Sequence, residues 1–327
     1  MERIEISYRT IIFTVLFLIF IWFLYQVRTI ILLLFVSLIL MCAMVDIIDW
    51  LEKNKIPRLL GILLIYFFVI CGLIGIIYLI IPPVVEQTGN FLNTLPQLLK
   101  DIGFIENIKP DMIISELGSI PISVLRFALS AFSNILGIFT VFVLTFYSLL
   151  EIKNIPLYLE ALFKNKEKEE MVLRIIRKIE SNIGGWVRGE FLLMLIIGVA
   201  SYIGYRILGL DYPLALAVIA GFMELVPNIG PVISAIPAIL VGLTISPALG
   251  LGALILSIAV HQSENHIIVP QVMKHMAGVN PIITIVCLLI GFKLGGAGGA
   301  VLAVPAFLTL RTLISEIYLF RSKTSSQ

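Results

Sequence analysis

Long apolar runs without a single charge, several of them broken by proline and glycine, constrain this chain more than any other feature. Residues 10–27, 30–45, 59–81 and 127–150 contain no Asp, Glu, Lys or Arg, and 191–208 contains only Arg206. About 20 mostly apolar residues in a helix suffice to cross the hydrocarbon of a bilayer. Each run is therefore read as a membrane span, the first an uncleaved helix followed at once by Arg28. Composition agrees: 59% of the 327 residues are hydrophobic and 13% charged, far from the usual soluble balance. The chain is an all-α polytopic membrane protein. Its 23 basic and 21 acidic residues are too balanced for a nucleic-acid binder. Cys42, Cys71 and Cys287 are an odd number, widely spaced inside apolar runs, and read as small core or lipid-facing residues.

The C-terminal third does not divide into plain spans. Residues 225–260 are uncharged but interrupted by Pro227, Gly230, Pro231, Pro237 and Pro247. The last apolar stretch, 281–310, is cut by Lys293 and by Gly295-Gly296-Ala297-Gly298-Gly299. Open backbone at membrane depth must be buried in protein or line a polar cavity. The economical solution is six full spans plus two re-entrant or broken hairpins, with tips at 227–231 and 293–299. Placing the N-terminus inside puts 17 Lys and Arg on the cytoplasmic side and five outside. This accords with the excess of basic residues in cytoplasmic loops and predicts cytoplasmic N- and C-termini.

Three regions follow. Residues 1–150 form a transmembrane scaffold with an outer loop at 82–126. In that loop Val84, Thr88, Phe91, Leu92, Leu95, Leu98, Leu99 and Ile102 repeat at helical spacing, predicting a surface helix kinked at Pro96. Residues 151–190 form a charged cytoplasmic helix. One face of it is Met171, Val172, Ile175, Ile176, Ile179, Ile183 and Trp186; Glu167, Lys168, Glu169, Glu170, Arg174, Arg177 and Lys178 make the other. Residues 191–327 form a unit with both broken hairpins. Within it, Gly230–Ala238 matches Gly298–Ala306 at an offset of 68 residues, and Pro213 meets Pro281 at the same offset. Interrupted segments at corresponding positions of two repeats point to a transporter's binding site. Under the topology above the two units are inverted relative to each other.

Charge at membrane depth is a functional signal. Glu224 stands just before Pro227-Asn228-Ile229-Gly230-Pro231, and His261-Gln262-Ser263-Glu264-Asn265-His266 ends the sixth span. Glu224, Asn228, Gln262, Glu264 and Asn265 offer oxygen ligands suited to a hard cation. Pro227, Gly230, Pro231, Pro270, Pro281, Gly295, Gly296, Gly298, Gly299 and Pro305 are the hinge and turn positions. Structural readings stand beside these. Glu224 also fits a helix cap or a partner for Arg206, and Gln262 and Glu264 also fit a span's cytoplasmic end. Lys293 fits a lysine reaching out to water. Asp46, Asp49, Glu151 and Lys153 fit solvated helix ends. His261, His266 and His275 lack metal-site spacing, so no metal is expected. No phosphate loop, nucleophile elbow or zinc-protease signature occurs, so neither an enzyme nor a cofactor is expected.

The run Glu224-Leu-Val-Pro-Asn-Ile-Gly-Pro231, then Gln262-Ser-Glu-Asn265 followed by Pro270, resembles the autoinducer-2 exporter family of bacterial membrane proteins. So do Asn280-Pro281, Gly291, Gly295, Gly298, Gly299 and Ala303-Val-Pro305. The resemblance is specific over the C-terminal third and extends elsewhere in layout only; Lys293 disfavours a cation at the second tip. It implies a secondary transporter of the bacterial cytoplasmic membrane, embedded in the bilayer as a homo-oligomer. Members are linked to autoinducer-2 export or to Na⁺ or Li⁺ exchange for protons. The expected function is cation/proton antiport through Glu224 and Glu264. The alternatives are export of a small polar metabolite such as autoinducer-2, and a non-transporting envelope scaffold.

Overall fold

The computed structural model describes residues 8–75, 78, 82, 135–227, 229–272 and 281–324. These residues are overwhelmingly helical, without a strand among them. Helix α1 runs over Tyr8–Lys53 and α2 over Arg58–Gly75. Helix α3 covers Ile135–Glu151, and a short turn at Ile152–Asn154 leads to α4, Ile155–Leu162. Helix α5 is Lys166–Leu208, α6 Pro213–Met223, α7 Gly230–Ile245, α8 Pro247–Ser263 and α9 Pro281–Thr324. The outer surface helix and its kink at Pro96 lie outside the described residues, as do Asn228, His275 and Asn280.

The first two expected spans form one unbroken helix. With its 46 residues, α1 is about 69 Å long at 1.5 Å per residue, more than twice the roughly 30 Å of hydrocarbon. Arg28 does not interrupt it, because one charge in a run of strong helix formers breaks no backbone hydrogen bond; its guanidinium instead lies 4.1 Å from the Tyr25 ring centroid. A continuous helix crosses a bilayer once. Among the described residues five helical stretches are long and apolar enough to cross a membrane: α1, α2, α3 with its continuation to Leu162, α5 and α9. The charged cytoplasmic helix and the fifth span are likewise one helix, the 43-residue α5. At its start the Asn165 side chain accepts from the Glu167 N–H at 2.9 Å, and Gly209 ends it in the left-handed region (φ 71°), a residue type that adopts that backbone without strain.

Two apolar cores sit along α5. One gathers Ile39, Cys42, Val45 and Ile48 of α1 with Ile62, Leu149 and Ile183. The other gathers Tyr205, Leu210, Leu216, Ala217, Ala238, Val241 and Ala253. By contrast, large apolar side chains of α1 from Ile12 to Leu34 are mostly exposed, as expected of a surface that faces lipid. Cys42 is buried, Cys71 exposed and Cys287 between the two.

Charges read from sequence as solvated helix ends tie neighbouring helix ends together. Arg58 of α2 donates to Asp49 at 2.6 Å, to Glu52 at 3.0 Å and to the Leu149 carbonyl at 2.7 Å. Lys153 reaches Glu52 at 2.7 Å, and Arg188 pairs with Asp46. Glu151 remains local, accepting from Asn154 and Tyr158.

Both interrupted regions form hairpins. Helices α6 and α7 have 11 and 16 residues, about 16 and 24 Å, too short to cross the membrane. Each packs lengthwise on a neighbour, α6 on α5 and α7 on α8, with connections of four residues and of one between them. The second hairpin lies inside α9, where Gly295 (φ −143°, ψ 20°) and Gly296 (φ 60°, ψ −146°) leave helical geometry. Its limbs return so close that a Cβ on Gly291 or on Gly299 would strike the other's carbonyl. The repeat seen in sequence coincides with these shapes: Gly230 and Gly298 each follow a tip, and Pro237 and Pro305 each lie inside the returning helix.

Candidate functional site

Close contacts set which residues meet. On the α5–α6 face Gly221 lies beside Met194 and Gly198. The two helices run in opposite directions through a tight turn, so three residues beyond Gly221 and four before Met194 lie at one level. Those residues are Glu224 and Glu190. On the other side Gly242 of α7 lies beside Leu249 and Gly250 of α8, and descending from there by similar lengths brings the first tip near Glu264. Three carboxylates from three separate elements converge.

Their burial is nearly complete: Glu224 is 1% exposed, Glu190 3% and Glu264 3%. The Glu224 carboxyl is within hydrogen-bond reach of the Glu264 carboxyl, and Glu190 acts electrostatically on Glu224 and Glu264. One oxygen of Glu224 and one of Glu190 have no hydrogen-bond partner. Among the described residues no Lys or Arg forms an ion pair with any of the three. Arg206, weighed as a partner for Glu224, is exposed near the far end of α5. Burying a carboxylate without compensation costs several kcal/mol, so a cluster of three has to be compensated by protons or by a cation.

Local structure explains how each is held. The first tip bonds to itself: Glu224 N–H donates to Gly221 O at 3.2 Å, Leu225 to Phe222 at 3.2 Å and Val226 to Met223 at 3.1 Å. Pro227 then stops that run, and Gly230 N–H returns to Val226 O at 2.8 Å. This tight turn meets the demand that backbone at membrane depth be satisfied within the protein. It requires glycine at 230, where any Cβ would run into the Met223 carbonyl. Glu264 sits where α8 widens into a single π turn, Glu264–Ile268, before closing as a helix over Val269–Val272. Such turns insert one residue into a helix and recur at functional sites. Here Glu264 is turned inward while Gln262, Asn265 and His266 stay exposed. His261 Nδ1 lies 3.2 Å from Glu264 Oε2, and its Nε2 lies 3.1 Å from Asn265 Nδ2.

Of the expected site residues, Glu224 and Glu264 are therefore adjacent. Asn265 reaches Glu264 through His261. Gln262 uses its carbonyl to accept from the His266 ring at 3.0 Å, and its side chain is not brought to the carboxylates. Lys293, before the second tip, is exposed and in no ion pair with the cluster. Among the described residues no group of three or more His, Cys, Asp or Glu is arranged to hold a metal ion. Glu190 is the residue the sequence analysis missed, since Arg188 beside it made it read as the end of the cytoplasmic loop. The available signal was the stripe Ile183, Glu190, Ile197, Gly204 at seven-residue steps, all buried: an acid on the apolar face of a helix.

An all-helical membrane protein with two broken hairpins, their shapes repeated, and a buried carboxylate cluster at one tip has the build of a membrane transporter rather than an enzyme. The family model for the AI-2E family transporter matches residues 11–319, and the chain belongs to that family. It is similar to Bacillus subtilis "Putative transport protein YrrI", at 26% identity over 91% of this chain and 89% of the relative. It is similar also to Bacillus subtilis "Putative transport protein YueF", at 29% identity over 83% and 79%. A shorter match to Escherichia coli "Putative permease PerM" has 28% identity over 53% and 51%.

Proposed function

We propose that this transporter is a secondary antiporter, exchanging a small monovalent cation such as Na⁺ or Li⁺ for protons at Glu224 and Glu264. The observation that carries the reading is the meeting of two buried carboxyls with, among the described residues, no Lys or Arg ion-paired to either. Two such groups cannot both be bare anions at that distance in a low-dielectric setting. A shared proton satisfies them, and so does a cation that displaces it. Competition for one site is the simplest means of coupling two fluxes. Motion of the first hairpin against α5 and α8 would expose the pair to each side in turn. We take the basic half of α5 as cytoplasmic, following the excess of Lys and Arg, in a bacterial cytoplasmic membrane and a homo-oligomeric assembly.

The family description favours a second reading, in which the same site exports a small polar metabolite such as autoinducer-2 and the carboxylates bond its hydroxyls. The scaffold alternative has less support, because a scaffold has no need of three buried acids at one tip. Proton flux decides. Purified protein in liposomes containing a pH dye is exposed to external Na⁺ or Li⁺. Exchange predicts a cation-dependent rise of internal pH if protons leave, absent in Glu224→Gln. A folded wild-type protein that gives no cation-dependent pH change defeats the antiport reading in favour of metabolite export.

A further inference from the structure

Glu190 is not one of the two carboxylates that the exchange reading uses, yet it is as deeply buried as they are. Its Oε1 has no partner. It projects from the stripe of α5 that also buries Ile183, Leu193, Ile197 and Ser201, where a structural role would call for an apolar side chain of the same length. Around it, the first tip contributes Glu224, and α8 contributes Glu264 with His261 at 3.2 Å from that carboxylate. Towards the start of α5 the acids on neighbouring helices are already paired, Asp46 of α1 with Arg188 and Glu316 of α9 with Lys178 at 2.6 Å. Arg188 and Lys178 are thus each engaged with another acid. Arg188 lies only two residues before Glu190, so Glu190 occupies the first apolar turn above the polar belt of the inner ends.

From this placement we infer that Glu190 is a proton relay between the cytoplasmic polar belt and the Glu224–Glu264 pair, a residue that carries the proton but does not ligate the cation. The inference rests on the exchange reading above. In the step, the Glu190 carboxyl gives its proton to a carboxylate oxygen of the pair as the cation leaves. The negative charge moves to Glu190, which regains a proton from water at the inner face. No group beyond the three carboxyls and water takes part. Glu190 is on α5, the helix shared by both cores, so it stays in place while the tip carrying Glu224 moves. A fixed relay beside a moving Glu224 connects the site to one side of the membrane only when the hairpin brings Glu224 to it.

The same proteoliposomes test it, with initial rates taken over a series of Na⁺ or Li⁺ concentrations at several internal pH values. Glu190→Gln keeps shape and hydrogen-bonding capacity but carries no exchangeable charge. The expected result is a maximal rate lower by about 100-fold and a loss of its dependence on internal pH, with the half-saturating cation concentration within about twofold of wild type. Glu190→Asp retains a titrating group on a shorter arm and restores the pH dependence at a reduced rate; it also serves if the Gln protein does not assemble. A Glu190→Gln protein with the wild-type maximum and pH profile overturns the relay. So does one whose half-saturating concentration rises at unchanged maximum, which would make Glu190 a ligand. A Glu190→Asp protein that lacks pH dependence overturns it as well. Wild-type protein without cation-driven proton movement removes the exchange reading itself and the relay with it. Wild-type exchange that Glu190→Gln matches removes the relay alone.

Discussion

The two hairpins share an outline and differ in almost everything that outline contains. The first is clamped: Ala215, Leu216, Ala217, Ala220 and Gly221 of its descending limb are buried, and its tip carries Glu224 against Glu264. The second is bare: Ile282, Ile285, Val286, Leu289, Ile290, Phe292 and Leu294 are exposed, and its tip carries no acid. Repetition has preserved the glycine after each tip and the proline seven residues on, which set chain path, while the chemistry was placed in one copy only. A shape that recurs without its polar groups is needed for folding or for motion; the copy with the buried acids holds the site.

The largest effect that would break this comparison concerns the glycines themselves. Gly230→Ala drives a Cβ into the Met223 carbonyl, backbone that cannot step aside, whereas a Cβ on Gly298 meets nothing within 4 Å. The first substitution is expected to cost about 3 kcal/mol, and the second to be neutral or slightly stabilising, since Ala favours a helix over Gly by about 1 kcal/mol. Thermal unfolding in detergent, followed by size-exclusion profile, checks both. Equal losses at the two positions would mean that the hairpins are held by equivalent tips after all.

Next in size is the functional asymmetry. Glu224→Gln is expected to lower cation-driven proton flux by about 100-fold, while Lys293→Gln leaves it within about twofold, because that lysine is exposed and unpaired with the cluster. The measurement is the liposome pH assay on both proteins at matched reconstitution. If Lys293→Gln is the more damaging change, the site belongs to the second hairpin and the comparison is inverted.

How much of this was legible in the sequence depended on whether a signal was local. The two tips were, since Pro227, Gly230 and Pro231, or Gly295 and Gly296, break a helix wherever they stand. Glu224 and Glu264 were also visible, as acids next to long uncharged runs. The pairing of the Glu residues was not, because it depends on the register of α6 on α5 and of α7 on α8, a tertiary property set by glycine contacts scattered along those faces. Glu190 was hidden by its neighbour: Arg188 made the segment look solvated, although Arg188 is paired with Asp46 and the acid two residues on faces inward. The division of α1 into two spans failed for the opposite reason. Arg28 is a strong topological signal in composition and no signal at all in backbone geometry. The π turn at Glu264–Ile268 left no recognisable mark, since the residues of His261-Gln-Ser-Glu-Asn-His266 suit a helix end as well as a widened turn.

The smallest expected effect sharpens the comparison within the first site, where the two acids of the touching pair are held differently. Glu264 Oε2 has a hydrogen-bonding neighbour in His261 at 3.2 Å, whereas Glu224 Oε2 has no hydrogen-bond partner. A single hydrogen bond of this kind contributes about 1 kcal/mol, which is roughly fivefold in an equilibrium constant. Replacing His261 by Ala frees the Glu264 carboxylate to rotate and leaves the tip untouched. Cation half-saturation is therefore expected to move by about fivefold, with the maximal rate within about twofold of wild type. His261→Gln should recover most of the shift, since an amide can still bond to Glu264. A shift as large as that of Glu224→Gln would instead make the imidazole a direct participant in proton transfer, and the pair would have to be redrawn as Glu224, Glu264 and His261 acting together.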